Sequence, residues 1–296
     1  MQPTPFSINE SPLPGRAAAR RLWLQVLLYL LTGLTTFAAG VVGWQPMLLG
    51  FDDDTIARLP DQWPRGLAYM ASVMAVLTAH EAGHFVAAWW HRIPATLPFF
   101  LPVPVLLTGT LGAVIGMEGS RASRRQLFDI ALAGPIAGLA VALPVMAVGM
   151  AVGSPSDTSP FALSPLARWI LSAVRTDGAV VIEPNALFMA GWVGLLVTGL
   201  NMIPVSQLDG GHVSYAIFGR RSRWLARSVL AGAVVAIAVF GLFNWIAMVV
   251  IVMLMGTDHP PIREDGRPLG LVRTMLGLLA LLIPVITFMP EPLLIE

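Results

Sequence analysis

Residues 67–90 read LAYMASVMAVLTAHEAGHFVAAWW, an apolar run of helical length broken only by His80, Glu81 and His84 near its C-terminal end. About 20 mostly apolar residues are needed for a helix to cross the hydrocarbon core of a bilayer. Ionisable side chains inside such a run cost a few kcal/mol and mark functional sites. The interruption has a pattern: His80-Glu81-Ala82-Gly83-His84 is H-E-x-x-H. On a helix, positions i and i+4 share one face, so two imidazoles there can hold one metal ion. The glutamate beside the first histidine is then placed to activate water as a general base.

Composition bounds the rest. Of 296 residues, 56% are hydrophobic and 12% charged, against about 25% charged in soluble domains. With a mean hydropathy of +0.73, a soluble core of this length could not hide so much apolar surface, so the bilayer is part of the solvent. The net charge of +1 argues against nucleic acid as a partner. Cysteine is absent, which excludes disulfides and thiolate ligands and leaves His, Asp and Glu to hold any metal.

Working outward, 22–44 forms a first span, 45–66 a polar loop with Asp52, Asp53, Asp54 and Asp61, and 67–90 the second span. Residues 94–117 are apolar but carry Pro94, Pro98, Pro102 and Pro104, then Gly109, Gly112 and Gly116. That pattern does not suit a straight helix. It predicts a re-entrant or hairpin element, buried in protein or lining a cavity at membrane depth. Residues 128–152 span again, 153–185 form a long loop, and 186–203 span and run into Pro204. The apolar stretch 225–256 is too long for one untilted span, with a turn expected at Gly241 to Trp245; 269–288 is the last span. The expectation is an all-α polytopic bundle of about 6–7 transmembrane helices with a membrane-inserted β-hairpin. It divides into a polar N-terminal tail at 1–21, a first helix and outer loop at 22–66, a membrane core at 67–220 holding the chemistry, and C-terminal helices and tail at 221–296. No signal-peptide cleavage site follows the N-terminal arginines.

Arginine placement orients the chain by the positive-inside rule. Arg16, Arg20 and Arg21, then Arg121, Arg124 and Arg125, then Arg220, Arg221, Arg223 and Arg227 fall on one side, and the acidic 45–66 loop on the other. His80, His84 and Asp209 then lie at one membrane depth, toward the cytoplasm.

A catalytic zinc takes three protein ligands and an open position. His91 fails the spacing of a histidine six residues after the second motif histidine, where Trp90 stands, and reads as an interfacial residue. His259 reads as a loop residue. Asp209, before Gly210 and Gly211, can swing its carboxylate toward the motif or cap the next helix; its matching depth favours metal ligation. His212 reads as a partner behind the ligands or a packing residue, with metal ligation as the alternative. Asn201 can donate to an oxyanion or a substrate carbonyl, or bridge helices. Glu118 reads as a loop residue.

H-E-x-x-H in one span, Asn201 with Pro204 and Leu208-Asp209-Gly210 after a later one, and the Gly-rich hairpin region together resemble the site-2 protease family of intramembrane zinc metalloproteases (peptidase family M50). The string from Gly191 to Asn201, Gln207 to His212, and His259-Pro260-Pro261 resemble its plant chloroplast EGY-type and bacterial branch. The resemblance covers roughly 67–288. It implies one zinc ion on His80, His84 and Asp209, with Glu81 activating water. It implies that Gly109, Thr110 and Gly112 belong to a hairpin at Leu106–Met117 that presents substrate as an extended strand. No inserted PDZ domain is expected, since 153–185 is too short for one. The implied partners are membrane-spanning protein substrates within the lipid bilayer. The implied location is a bacterial cytoplasmic membrane; no motif speaks to oligomeric state. Two alternatives are a zinc-binding scaffold, against which Glu81 counts, and a transporter using His and Asp, which would carry internal repeats. A third is a metalloprotease with a glutamate as third ligand, for which Glu183 is the candidate, on the wrong side.

Overall fold

The computed structural model describes residues 14–45, 53–263 and 266–293. Most of the expected N-terminal tail and part of the first loop lie outside these. Helix α1 is Pro14–Val41, opening on a proline whose missing N–H costs nothing at a helix start. Helix α2, Asp53–Trp90, begins well before residue 67, so most of the expected polar loop is helical. The two prolines at 60 and 64 lie inside it, in about its third and fourth turns. Arg65 ties α2 to the end of α1: its Nε donates to Gly40 O (2.8 Å) and its Nη2 to Val41 O (2.6 Å). These are carbonyls that a helix C-terminus leaves unpaired.

The Pro- and Gly-rich segment 94–117 folds as a hairpin, but its first strand lies at 99–102, before the 106–117 that the resemblance implied. Residues from 106 on form the turn and the second strand. Strand β1, Phe99–Pro102, pairs antiparallel with β2, Thr110–Val114. The pairing extends past the strands, with Thr96 N donating to Gly116 O (2.8 Å) and Glu118 N to Pro94 O (3.1 Å). Among the described residues the sheet has two strands, so β2 keeps one edge unpaired by them. Gly109 sits at φ +75°, and a side chain there would strike the backbone of Thr35 and Thr36 in α1. Glycine is needed at 109 for close approach.

Helix α3, Arg124–Val152, is capped by Gln126 Oε1 accepting from Ser123 N (3.0 Å). Its Pro135 and Pro144 are tolerated because neighbouring helices enclose it. The 153–185 loop holds a helix of its own, α4, Pro165–Val174, with Ser164 Oγ accepting from Ala167 N (3.2 Å). Helix α5, Ala186–Asn201, starts where Asn185 Oδ1 accepts from Phe188 N (3.0 Å). Helix α6, Asp209–Phe218, follows a tight turn and is closed by Gly219 at φ +59°. Helix α7, Ser222–Phe240, ends at Gly241 in the left-handed region, as expected, and a short turn at Phe243–Trp245 leads to α8, Ile246–Met255. The last apolar run divides into α9, Leu271–Ala280, and α10, Ile283–Thr287, with Pro284 opening the second piece.

Helix α3 packs on both α2 and α5, and these enclose a core of Tyr69, Val73, Leu77, Met146, Met150, Phe188, Trp192 and Leu195. Large apolar side chains cover the outside as well: Leu30, Leu34, Val239 and Leu254 are all exposed. A helix bundle that is apolar both inside and out suits lipid. Among the described residues three segments are long and apolar enough to cross a membrane: Arg21–Val41, Arg124–Val152 and Asp209–Phe240. Ala186–Asn201, Phe243–Leu254 and Leu271–Thr287 are apolar but shorter.

Candidate active site

His80, Glu81 and His84 sit on the last third of α2 and are all buried. The two imidazoles share one side of the helix, edge to face with ring centroids 5.0 Å apart. Asp209 reaches them from 125 or more residues away. It is the first residue of α6, while Leu208 holds the capping position. Its carboxylate therefore points at α2 instead of capping its own helix. His80 Nε2 lies 3.2 Å and His84 Nε2 3.3 Å from Asp209 Oδ2.

Backbone chemistry explains how Asp209 gets there. Pro204 cannot continue α5, and the chain turns through Ser206 at φ +44°. A Cβ at Gly210 would lie 2.7 Å from Ile203 O, and one at Gly211 would lie 2.6 Å from Val205 O. Only glycine lets the start of α6 lie this close to the turn before it.

Whether these residues fit zinc can be tested on the donors. A tetrahedral ion with bonds of about 2.0–2.1 Å sets its ligand atoms about 3.3 Å apart, close to the separations found. His84 Nδ1 lies 2.8 Å from Ile130 O. A carbonyl only accepts, so Nδ1 carries the hydrogen and Nε2 keeps its lone pair for the metal. Among the described residues, Glu81 Oε2 and His80 Nδ1 are buried with no hydrogen-bond partner. Such orphaned groups are costly, and Glu81 Oε2 fits a role in which it accepts from a water held at a metal. Two imidazoles and one carboxylate, all able to reach one ion, are the donor set of a catalytic zinc with one position open.

Glycines let α3 lie against these ligands. The nearest atoms to a Cβ at Gly138 are those of His80, with Nδ1 at 2.9 Å, and to one at Gly134 they are those of the His84 ring. Small residues at helix contacts are the usual means of close packing in membranes.

The site opens into a cavity of about 550 Å³. Asn201 lines it as the last residue of α5, its Nδ2 3.4 Å from His80 Nε2. Of the hairpin, Ala113 to Met117 line the cavity, whereas Gly109, Thr110 and Gly112 do not. Thr110 instead braces the strand: its Oγ1 donates to Leu101 O (3.0 Å) and accepts from Gly112 N (2.9 Å).

The remaining candidates fall elsewhere. His91 is 3.0 Å from Asp129 Oδ2, and Arg273 holds the same carboxylate at 2.8 and 3.0 Å; this group pins α9 to the bundle. Glu183 N donates to Ser154 O in the 153–185 loop, away from the metal group. Glu118 pairs with Arg121 (2.6 Å) at the rim of the cavity. His259 does sit in a loop, half-buried, as its sequence reading has it. It lines the cavity together with Pro260, Pro261 and Ile262 and is paired with His212 at 2.7 Å. The string His259-Pro260-Pro261 was its only signal in the sequence.

The comparisons with known proteins agree with this geometry. Residues 68–244 match the family model described as Peptidase family M50. The chain is 29% identical over 270 residues to a protein named probable zinc metalloprotease EGY2, chloroplastic, from Arabidopsis thaliana, covering 87% of this chain and 47% of that protein. It is 29% identical to probable zinc metalloprotease EGY1, chloroplastic, from Oryza sativa subsp. japonica, covering 67% and 39%. It is 28% identical to probable zinc metalloprotease EGY3, chloroplastic, from Oryza sativa subsp. indica, covering 76% and 42%. The chain thus spans less than half the length of these relatives. No solved structure matches it. The family match covers more than half the chain, including both arms of the metal group and the hairpin beside it, and the chain belongs to peptidase family M50.

Proposed function

We propose that this chain is an intramembrane zinc metallopeptidase that hydrolyses peptide bonds of membrane-embedded proteins. One observation carries the reading: three ligand atoms converge at 3.2 and 3.3 Å beside a buried, unpartnered Glu81 carboxylate oxygen. A scaffold that merely held zinc would not need that carboxylate. His80, His84 and Asp209 would hold the ion. When bound, zinc supplies Lewis acidity, acidifying water and polarising a carbonyl.

The chain's own residues supply the rest. Glu81 takes a proton from water and returns it to the leaving amine. Asn201 Nδ2 donates to the oxygen of the substrate carbonyl. The unpaired edge of β2 and the residues after it pair with the substrate main chain, holding it extended by strand addition. Extension is required because the carbonyls of a helix are already hydrogen-bonded and shielded. The N-terminus and active site face the cytoplasm, an orientation that the arginine distribution supports; the scheme has about 6–7 spans in a bacterial cytoplasmic membrane, with substrate entering sideways from lipid. Residues 67–220 form the catalytic core of this scheme.

The test compares wild type with Glu81→Gln on a panel of single-span substrates in detergent. Gln keeps the shape and the zinc while removing the base. Cleavage near the span by wild type alone is the expected result. Equal cleavage by both proteins would refute the role of Glu81, and zinc binding without cleavage of any substrate would favour a scaffold.

A further inference from the structure

Beside the metal group stands a second pair of imidazoles. His259 Nδ1 lies 2.6 Å from Pro260 O, and His259 Nε2 lies 2.7 Å from His212 Nδ1. The ring of Tyr215 stacks on His259, with centroids 4.1 Å apart and planes 15° from parallel.

These contacts assign the hydrogens in sequence. A carbonyl only accepts, so His259 Nδ1 carries a hydrogen. Burial pushes His259 below the usual histidine range, so its Nε2 is a bare acceptor. His212 Nδ1 must then be the donor. Neutral His212 is left with a lone pair on Nε2, which takes no hydrogen bond from any described residue. His212 lines the same cavity as Glu81, Asp209 and the Ala113–Met117 stretch.

A peptide paired by one edge to β2 presents N–H groups along its other edge. Out of water each of those needs an acceptor. We propose that His212 is a substrate-positioning residue whose Nε2 accepts a hydrogen bond from a main-chain N–H of the extended substrate, with His259 and Tyr215 holding the ring in that tautomer. This rests on the peptidase reading and adds to it the contact that orients the peptide from α6.

The test uses this chain carrying Glu81→Gln, which on the peptidase reading binds without cutting. The probe is a fluorescent Leu/Ala single-span peptide with a central Gly-Ala-Gly. One hydrogen bond is worth about 1 kcal/mol or slightly more, or about tenfold in affinity. His212→Asn keeps the contact to His259 but lacks the distal acceptor, and His212→Phe lacks both; each should weaken binding about tenfold. His212→Gln, which can place an oxygen where Nε2 lies, should stay within about threefold. Zinc content should equal the parent's in all three. Replacing the contacted peptide N–H by an ester oxygen should cost the parent about tenfold and His212→Phe nothing more, a coupling that a structural role would not produce. Parent-like affinity for both Asn and Phe variants, or loss of zinc in His212→Asn, overturns the proposal. Failure of the parent to bind any such peptide sinks the peptidase reading itself.

Discussion

Gly134→Ala should abolish tight metal binding although residue 134 is not a ligand. A methyl built there has the His84 ring as its nearest neighbour, Nε2 first. It lands more than about 1 Å inside the ~3.5 Å at which such atoms touch. Relief can come in two ways. The ring can rotate, which breaks the 2.8 Å contact of Nδ1 with Ile130 O. Or α2 and α3 can separate, which also opens the close contact of Gly83 with the α3 backbone at Ala133. Either way His84 Nε2 moves away from Asp209 Oδ2, now at 3.3 Å, while a zinc site tolerates about 0.2 Å. Disturbing only the support of a ligand costs 10–100-fold in affinity, so a displaced ligand should cost at least that, about 1.4–2.8 kcal/mol. Overpacking adds ~1–3 kcal/mol of destabilisation. The assay is zinc content of detergent-purified protein after equilibration with a competing chelator, alongside thermal unfolding. Gly232→Ala is the control, since a methyl there meets nothing within 4 Å. Wild-type zinc affinity in Gly134→Ala would refute the idea that α3 positions His84 by contact.

Asp209→Ala should lose zinc while His91→Ala keeps it, because Asp209 faces both motif histidines whereas His91 is engaged with Asp129; metal analysis of the two variants decides. Arg65→Ala removes two charged hydrogen bonds to the end of α1 and should destabilise by about 2 kcal/mol, read as a lower unfolding temperature with zinc retained at saturation. Thr158→Cys in this cysteine-free chain should react with an impermeant maleimide from the extracytoplasmic face; labelling from the cytoplasm would reverse the proposed orientation.

The sequence by itself determined the membrane class, the helix carrying His80, Glu81 and His84, the hairpin at the Pro- and Gly-rich segment, and the break at Gly241. These follow from local rules: apolar run length, the i, i+4 spacing, and the restrictions on proline and the freedom of glycine. It also singled out Asp209, but an aspartate before two glycines reads equally well as a helix cap. Only packing decided that, by placing α6 against α2 so that Asp209 Oδ2 meets both imidazoles. The helical start of α2 at Asp53 was hidden by its polar composition, and the break before Pro284 by the apolar composition around it. The cavity residues of the hairpin lie at 113–117, past Gly109 and Gly112 but including Gly116, because Gly109 serves contact with α1. His259 was the least legible. Nothing local distinguishes a loop histidine in solvent from one folded back over a site 47 residues away, at His212. Spacing along one helix is written in the chain, whereas the meeting of distant segments depends on how whole helices pack, and only the tertiary structure settles that.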